Sequence, residues 1–220
     1  MPRQPYLKVV PNHQGASIDV GVNAIGQRPQ LEALVGACLM NWSHVEAEMA
    51  LLLGQLMRVE NAVALVVFQA LRQSRTQREA IEGAGKIALM AALLNLHKSL
   101  ETERNALAHG HFGTSTKVPD GLIWMSTGNY ISTRVDLSLA SNPVWDDPRH
   151  LKLLSSVWVY REPDLKKISE DMTELADEWY NFIVYLRMTD PKTRAEKYRQ
   201  LCDRPHIDRE LTILRQKNNP

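Results

Sequence analysis

Leu31, Leu34, Val35, Cys38, Leu39, Trp42, Val45, Met49, Leu52, Leu53 and Leu56 recur at steps of three and four. That period puts them on one face of an amphipathic helix of about eight turns. A second apolar segment, residues 62–71, predicts another helix, and a third is expected over residues 76–100, with Gly83 and Gly85 lowering its propensity near the start. The stripe Leu165, Ile168, Met172, Leu175, Trp179, Phe182, Ile183 and Leu186 marks a last long helix, opened by Pro163 or Asp164. Its other face carries Lys166, Lys167, Glu170, Asp171, Glu174, Asp177 and Glu178 and reads as a solvated surface.

After residue 110 the period changes. Residues 122–126 and 130–135 are β-rich runs around Thr127-Gly128-Asn129, a hairpin signal, and residues 157–160 are a third short candidate strand. Asn142-Pro143 and Asp147-Pro148 mark loop between them. Residues 1–28 are broken by Pro2, Pro5, Pro11, Gly15, Gly21 and Gly26, which predicts an irregular arm with a short strand. The expected fold is mainly α: a bundle of four or five helices with a small β-hairpin or strand insert, about residues 111–161, before the last long helix. The expected organisation is an N-terminal arm (1–28), a helical domain (29–190) and a basic C-terminal extension (191–220).

Composition narrows the class. With 220 residues, 44% of them hydrophobic, the chain is large enough to bury a core without disulfides or metal. Cys38 and Cys202 lie far apart with no Cys-x-x-Cys spacing, which suits free thiols in a reducing compartment, so a cytoplasmic location is expected. The first thirty residues lack a signal-peptide core, and the longest nearly apolar run, residues 62–71, is too short to span a bilayer, so no membrane role is expected. A net charge of +1 gives no long-range attraction for polyanions in general. Residues 191–220 hold eight Lys or Arg against four Asp or Glu, a local +4 that leaves −3 elsewhere. This tail reads as a solvated or partner-packing extension, with RNA contact as the alternative.

The segment Glu103-Arg104-Asn105-Ala106-Leu107-Ala108-His109-Gly110 closes a predicted helix. At about 100° per residue Asn105 and His109 share a face, whereas Arg104 and His109 stand roughly 140° apart. Gly110, a favoured left-handed cap, is expected to end the helix and free the last turn from ideal geometry. Arginine offers a permanently charged fork matched to phosphate oxygens, and histidine an imidazole able to carry a proton near neutrality. Carbonyls at a helix C-terminus favour imidazolium, which biases His109 toward a general acid. The chemistry that fits is RNA cleavage without a metal: a 2′-hydroxyl attacks the adjacent phosphate while charge is clamped and the leaving oxygen is protonated. In the alternative, Arg104 pairs with a carboxylate such as Glu101 or Glu103, Asn105 bonds to backbone, and His109 caps the helix.

Arg104-Asn105-Ala106-Leu107-Ala108-His109 resembles the Arg, polar residue, spacers, His signature of the HEPN superfamily of small α-helical bundles. The likeness extends to a long first helix with Trp42, Val45 and Glu46 and to Gly110-His111-Phe112-Gly113 after the motif, covering roughly residues 30–188. The resemblance implies a metal-independent endoribonuclease of a toxin–antitoxin or phage-defence system, homodimeric with paired motifs, acting on RNA and held by an antitoxin protein. By it, Arg104 and His109 form the catalytic pair with Asn105 as polar neighbour. Other family members are catalytically silent, which leaves an interaction or nucleotide-binding module as the second expectation. The β insert and C-terminal extension fall outside the minimal bundle.

Glu46 falls on the apolar stripe of the first helix, where an unpaired carboxylate is costly, so it needs a partner. Arg104 or Asn105 is the expected one, which would make Glu46 a supporting residue; a pair elsewhere in the bundle is the alternative. Arg72, Arg75 and Arg78 are spaced by three and form a candidate RNA-binding ridge unless a helix boundary near Ser74 breaks it. His97, His109 and His111 lack the cysteine or acidic ligands of a usual metal shell, so no metal site is expected. Trp124, Trp145, Trp158 and Trp179 read as core or interface. No Walker A, Gly-x-Gly-x-x-Gly or Gly-x-Ser-x-Gly pattern occurs, so no cofactor is expected.

Overall fold

The first apolar stripe forms one uninterrupted helix, α2 (Pro29–Met57), and buries Leu31, Val35, Cys38, Trp42, Val45, Met49, Leu52 and Leu53. The computed structural model describes residues 3–21, 23–85, 87–139 and 148–218. Within them the chain is mainly helical with a small antiparallel sheet, as the hydrophobic pattern predicts. No single helix among the described residues is long and apolar enough to cross a membrane.

The chain divides into two units, Met1–Leu39 with Thr102–Glu170 and Met40–Glu101 with Asp171–Pro220. The division falls within three long helices: α2, α5 (Ala88–His109) and α8 (Glu162–Arg187).

Unit 1 is built on a five-stranded sheet of order β1-β5-β4-β3-β2, formed by β1 (Gln4–Pro5), β2 (Ile18–Val20), β3 (His111–Ser115), β4 (Val118–Met125) and β5 (Trp158–Arg161). Every pairing is antiparallel. Residues 1–28, expected as an irregular arm, thus supply both edge strands, together with the short helix α1 (Tyr6–Val9). Alternation along β4 sends side chains to opposite faces. Ile123 and Met125 join Val159, Tyr6, Val10, Leu154 and Val157 in one apolar cluster. Leu122 and Trp124 are buried as well, so this central strand is covered on both sides.

The hairpin differs from the sequence reading. Its turn is Thr116-Lys117 between β3 and β4, with Ser115 opposite Val118, not Thr127-Gly128-Asn129. Residues 130–135, expected as a strand, belong to helix α6 (Thr127–Leu139). The cause is local: Ser126 Oγ accepts the Asn129 amide at 3.3 Å, the N-cap bond that starts a helix. Helix α7 (Pro148–Ser155) follows; Asn142-Pro143, Trp145 and Asp147 lie outside the described residues.

Unit 2 holds residues 40–57 of α2, then α3 (Asn61–Ala70), α4 (Ser74–Ala84), residues 88–101 of α5, residues 171–187 of α8, and α9 (Pro191–Cys202) and α10 (Pro205–Asn218). The helix expected over residues 76–100 is therefore two. Gly85 is the break: its backbone is extended (φ −161°, ψ 145°) where α4 ends. The basic tail is helical, and Asp190 opens α9 by accepting the Thr193 amide at 2.8 Å.

On α8 the predicted stripe is buried from Leu165 to Ile183. Glu178, expected on the solvated face, is 0% exposed.

Candidate functional site at the end of α5

The motif occupies the last two turns of α5, which stops at His109 and passes through Gly110 into β3. Gly110 is not a left-handed cap, since among the described glycines a positive φ occurs only at Gly15. Its role is close approach. A Cβ on Gly110 would lie 1.7 Å from Trp124 Nε1, so only glycine lets the indole reach the helix end. There Trp124 Nε1 donates to the Ala106 carbonyl at 2.8 Å, beside the Gly110 amide at 3.0 Å. Thr127 Oγ1 donates to the His109 carbonyl at 2.8 Å. The Ala106 carbonyl thus takes a second donor from β4, and the His109 carbonyl at the helix C-terminus is satisfied from α6.

The helical phase sets what faces water. Ala106 and Leu107 are buried, Arg104 is half-buried, and Asn105 and His109 are exposed. Arg104 Nη1 donates to Asn105 Oδ1 at 2.9 Å. Among the described residues neither Arg104 nor His109 forms a salt bridge with a carboxylate. The two acids nearest Arg104 in sequence have other partners: Glu101 pairs with Arg78, and Glu103, buried, accepts the Tyr160 hydroxyl at 3.3 Å.

Beneath this turn lies a covered polar network. Arg3 Nη1 donates to Tyr160 Oη at 3.1 Å, and the Arg3 guanidinium carbon sits 4.3 Å from the Trp124 ring centroid. Burial pushes the Tyr160 phenol well above its ordinary range, with the Arg3 charge opposing that shift. Tyr160 is therefore a neutral hydrogen-bonding post rather than an acid or base.

Sequence reasoning missed two neighbours. His111, two residues past the motif, stacks on Tyr130 of α6 with centroids 4.0 Å apart and planes at 16°. The Arg134 guanidinium carbon lies 5.9 Å from the Tyr130 centroid. The signal that hid them was the strand expected over residues 130–135; on a helix, Tyr130 and Arg134 share a face at i, i+4.

Other expected site residues fall in unit 2. Glu46 is half-buried and its Oε1 accepts Trp42 Nε1 at 2.8 Å, a partner one turn away on α2. Arg72 precedes α4 with φ +42°, Arg75 pairs with Glu79 at 2.8 Å, and Arg78 pairs with Glu101. The boundary at Ser74 thus leaves Arg72 outside the helix, and Arg78 is used internally. His97 is 1% exposed with its ring 4.7 Å from that of Trp42. Cys38 is a free, buried thiol, pushed up to about 11 by desolvation, which leaves it unreactive near neutrality.

No protein-family model matches this chain, and neither a curated protein nor a solved structure matches it significantly.

Proposed function

We propose that this chain is a HEPN-like, metal-independent endoribonuclease acting as a homodimer. The observation that carries the reading is the Arg104–Asn105–His109 turn, with Asn105 and His109 exposed and Arg104 half-buried, whose cation is bonded to Asn105 while both neighbouring acids are engaged elsewhere. A cation left unneutralised at a surface turn is available for an anion. The flanking His111–Tyr130 stack with Arg134 adds an aromatic platform and a further positive charge beside the same turn, the combination that single-stranded nucleic acid favours.

In this reading the ribose 2′-oxygen bonds to phosphorus as its proton leaves to solvent, and the phosphorus–5′-oxygen bond breaks. Arg104 holds the nonbridging oxygens as their charge grows, and His109 donates a proton to the departing 5′-oxygen. The products are a 2′,3′-cyclic phosphate and a 5′-hydroxyl. Asn105 holds the Arg104 fork at 2.9 Å and shares the His109 face. Because Arg104 and His109 stand roughly 140° apart on an ideal helix, the pair acting on one phosphate comes from facing motifs of two protomers. The biological setting that suits such an activity is a toxin or phage-defence effector restrained by an antitoxin protein.

The test is cleavage of a broad RNA panel in the presence of chelator, with wild type, Arg104→Ala and His109→Ala. Wild-type cleavage to cyclic-phosphate ends, lost in both variants while their melting curves stay unchanged, supports the reading. Intact RNA with all three proteins returns the turn to an interaction module.

A further inference from the structure

Glu174 and Glu178 stand four residues apart on α8, so their carboxylates project from one face. His206, in the first turn of α10, stands over them. Its Nδ1 is 3.3 Å from Glu174 Oε1 and its Nε2 is 3.1 Å from Glu178 Oε1. One ligand atom from each of the three residues lies within 4.8 Å of the others. Because the two His206 contacts use different nitrogens of one ring, one of them gives way when an ion binds, and the three donor atoms close from within 4.8 Å toward the ~3.3 Å of a tetrahedral zinc shell.

A second, independent observation points the same way. Glu178 is 0% exposed, its Oε1 takes both Arg204 and His206, and its Oε2 has no hydrogen-bonding partner among the described residues. A wholly buried carboxylate oxygen with no donor is costly to keep. Glu178 also lines a cavity of about 200 Å³, which Glu174, His206 and Asp171 make polar and Leu96, Leu100 and Leu175 close with apolar side chains. That oxygen itself has less than 1 Å² of accessible surface, so no water meets it, while the residue that carries it borders the cavity.

We propose that this cavity binds a divalent transition-metal ion of the zinc class, with Glu174, Glu178 and His206 as protein ligands and water at the open position. The imidazole among the ligands favours this class over calcium or magnesium, which take oxygen shells. Arg204, held on Glu178 Oε1, balances part of the acidic charge and leaves Oε2 to the ion. Two ligands come from α8 and one from α10, so the ion ties the C-terminal helix to α8. The role is a clamp within unit 2, independent of the ribonuclease reading.

The experiment uses the full chain, stripped with chelator and then dialysed. Zinc is titrated against a chromophoric competitor, with melting curves run in parallel. The expected result is one zinc per chain with Kd of about 10 μM or tighter. Tm should rise by ~5 °C or more at a hundredfold excess over Kd. Glu174→Gln and His206→Gln should each weaken binding about tenfold or more. Glu174 has its side chain 54% exposed, so Glu174→Gln leaves the metal-free melt in place. Millimolar magnesium or calcium should leave Tm unmoved. No zinc bound at about 100 μM, on the scale where weak sites first fill, overturns the proposal, as does unchanged affinity in both variants. A magnesium or calcium shift equal to that of zinc overturns the assigned class.

Discussion

His97 and His109 belong to the same helix, yet they are chemically opposite. His97 is 1% exposed against the Trp42 ring, and desolvation, reinforced by the Arg78 charge, lowers it to about 3. It stays neutral across physiological pH and can carry no proton there. His109 is exposed on the last turn, with its carbonyl fixed by Thr127 and its ring facing water. A sequence scan that counts histidines treats them alike. Burial decides which one can do chemistry, and it follows from helical phase: His97 falls where α5 is covered, His109 where the helix ends.

On the proposed ribonuclease reading, with His109 as general acid, the largest effect expected of that contrast is on RNA cleavage. Losing a general acid costs about 10²–10⁴-fold, so His109→Ala should abolish measurable turnover without moving Tm. Arg104→Lys keeps the charge but loses the planar fork and should cut the rate by roughly tenfold or more. His97→Leu should show the reverse pattern, altered stability with retained cleavage. If His97→Leu removed cleavage from a folded protein while His109→Ala did not, the division of roles between the two histidines would collapse.

Gly110 is where the exposed turn meets the covered strand. A methyl group there would sit 1.7 Å from Trp124 Nε1, so Gly110→Ala must displace the indole from the Ala106 carbonyl. Overpacking together with a lost buried hydrogen bond should cost about 3 kcal/mol, read as a lower denaturant midpoint. Trp124 fluorescence should shift to the red as the ring moves toward water. An unchanged midpoint would mean that the close approach of Trp124 contributes nothing to holding the Arg104–His109 turn.

The buried histidine gives a pH signature. Its folded pKa, about 3, lies below the ordinary value of 6.5, so the unfolded chain binds the proton first. Stability is then full above about pH 6.5 and falls as pH drops toward 3. The slope reaches ~1.4 kcal/mol per pH unit where His97 is charged only in the unfolded state, giving about 2 kcal/mol lost by pH 5. His97→Leu should flatten that slope across pH 5–7. Parallel slopes in wild type and His97→Leu would refute the buried, neutral state of His97.

How much of this was legible follows from distance along the chain. The amphipathic stripes of α2 and α8 are periodic over many turns, and most of their residues are buried where the period points. The motif turn is contiguous, so its residues could be named from sequence. Ser126 was the weak point: one N-cap hydroxyl turned an apparent strand into α6, and with it moved Tyr130 and Arg134 to one helical face. Gly110 was noted for the left-handed conformation glycine permits, but its use here depends on Trp124, fourteen residues on in β4. Glu178 was invisible for a stronger reason. Its period marks a surface position, and only Arg204 and His206, more than twenty residues later, make it an interior one.

The smallest effect concerns how firmly the exposed histidine is held. Thr127 Oγ1 donates to the His109 carbonyl at 2.8 Å at an exposed position, so the bond contributes about 0.5–1 kcal/mol at most. Thr127→Val keeps the shape and removes the donor. Stability should fall by no more than that amount, close to the limit of a denaturant titration. If a fixed last turn sets where the imidazole meets the leaving oxygen, cleavage should drop about threefold or more, since small misplacements of a proton donor are felt in the rate. Thr127→Ser restores the hydroxyl and should recover it. A Thr127→Val protein that cleaves at the wild-type rate would show that His109 needs only exposure, and that the cap from α6 serves the helix end rather than the chemistry.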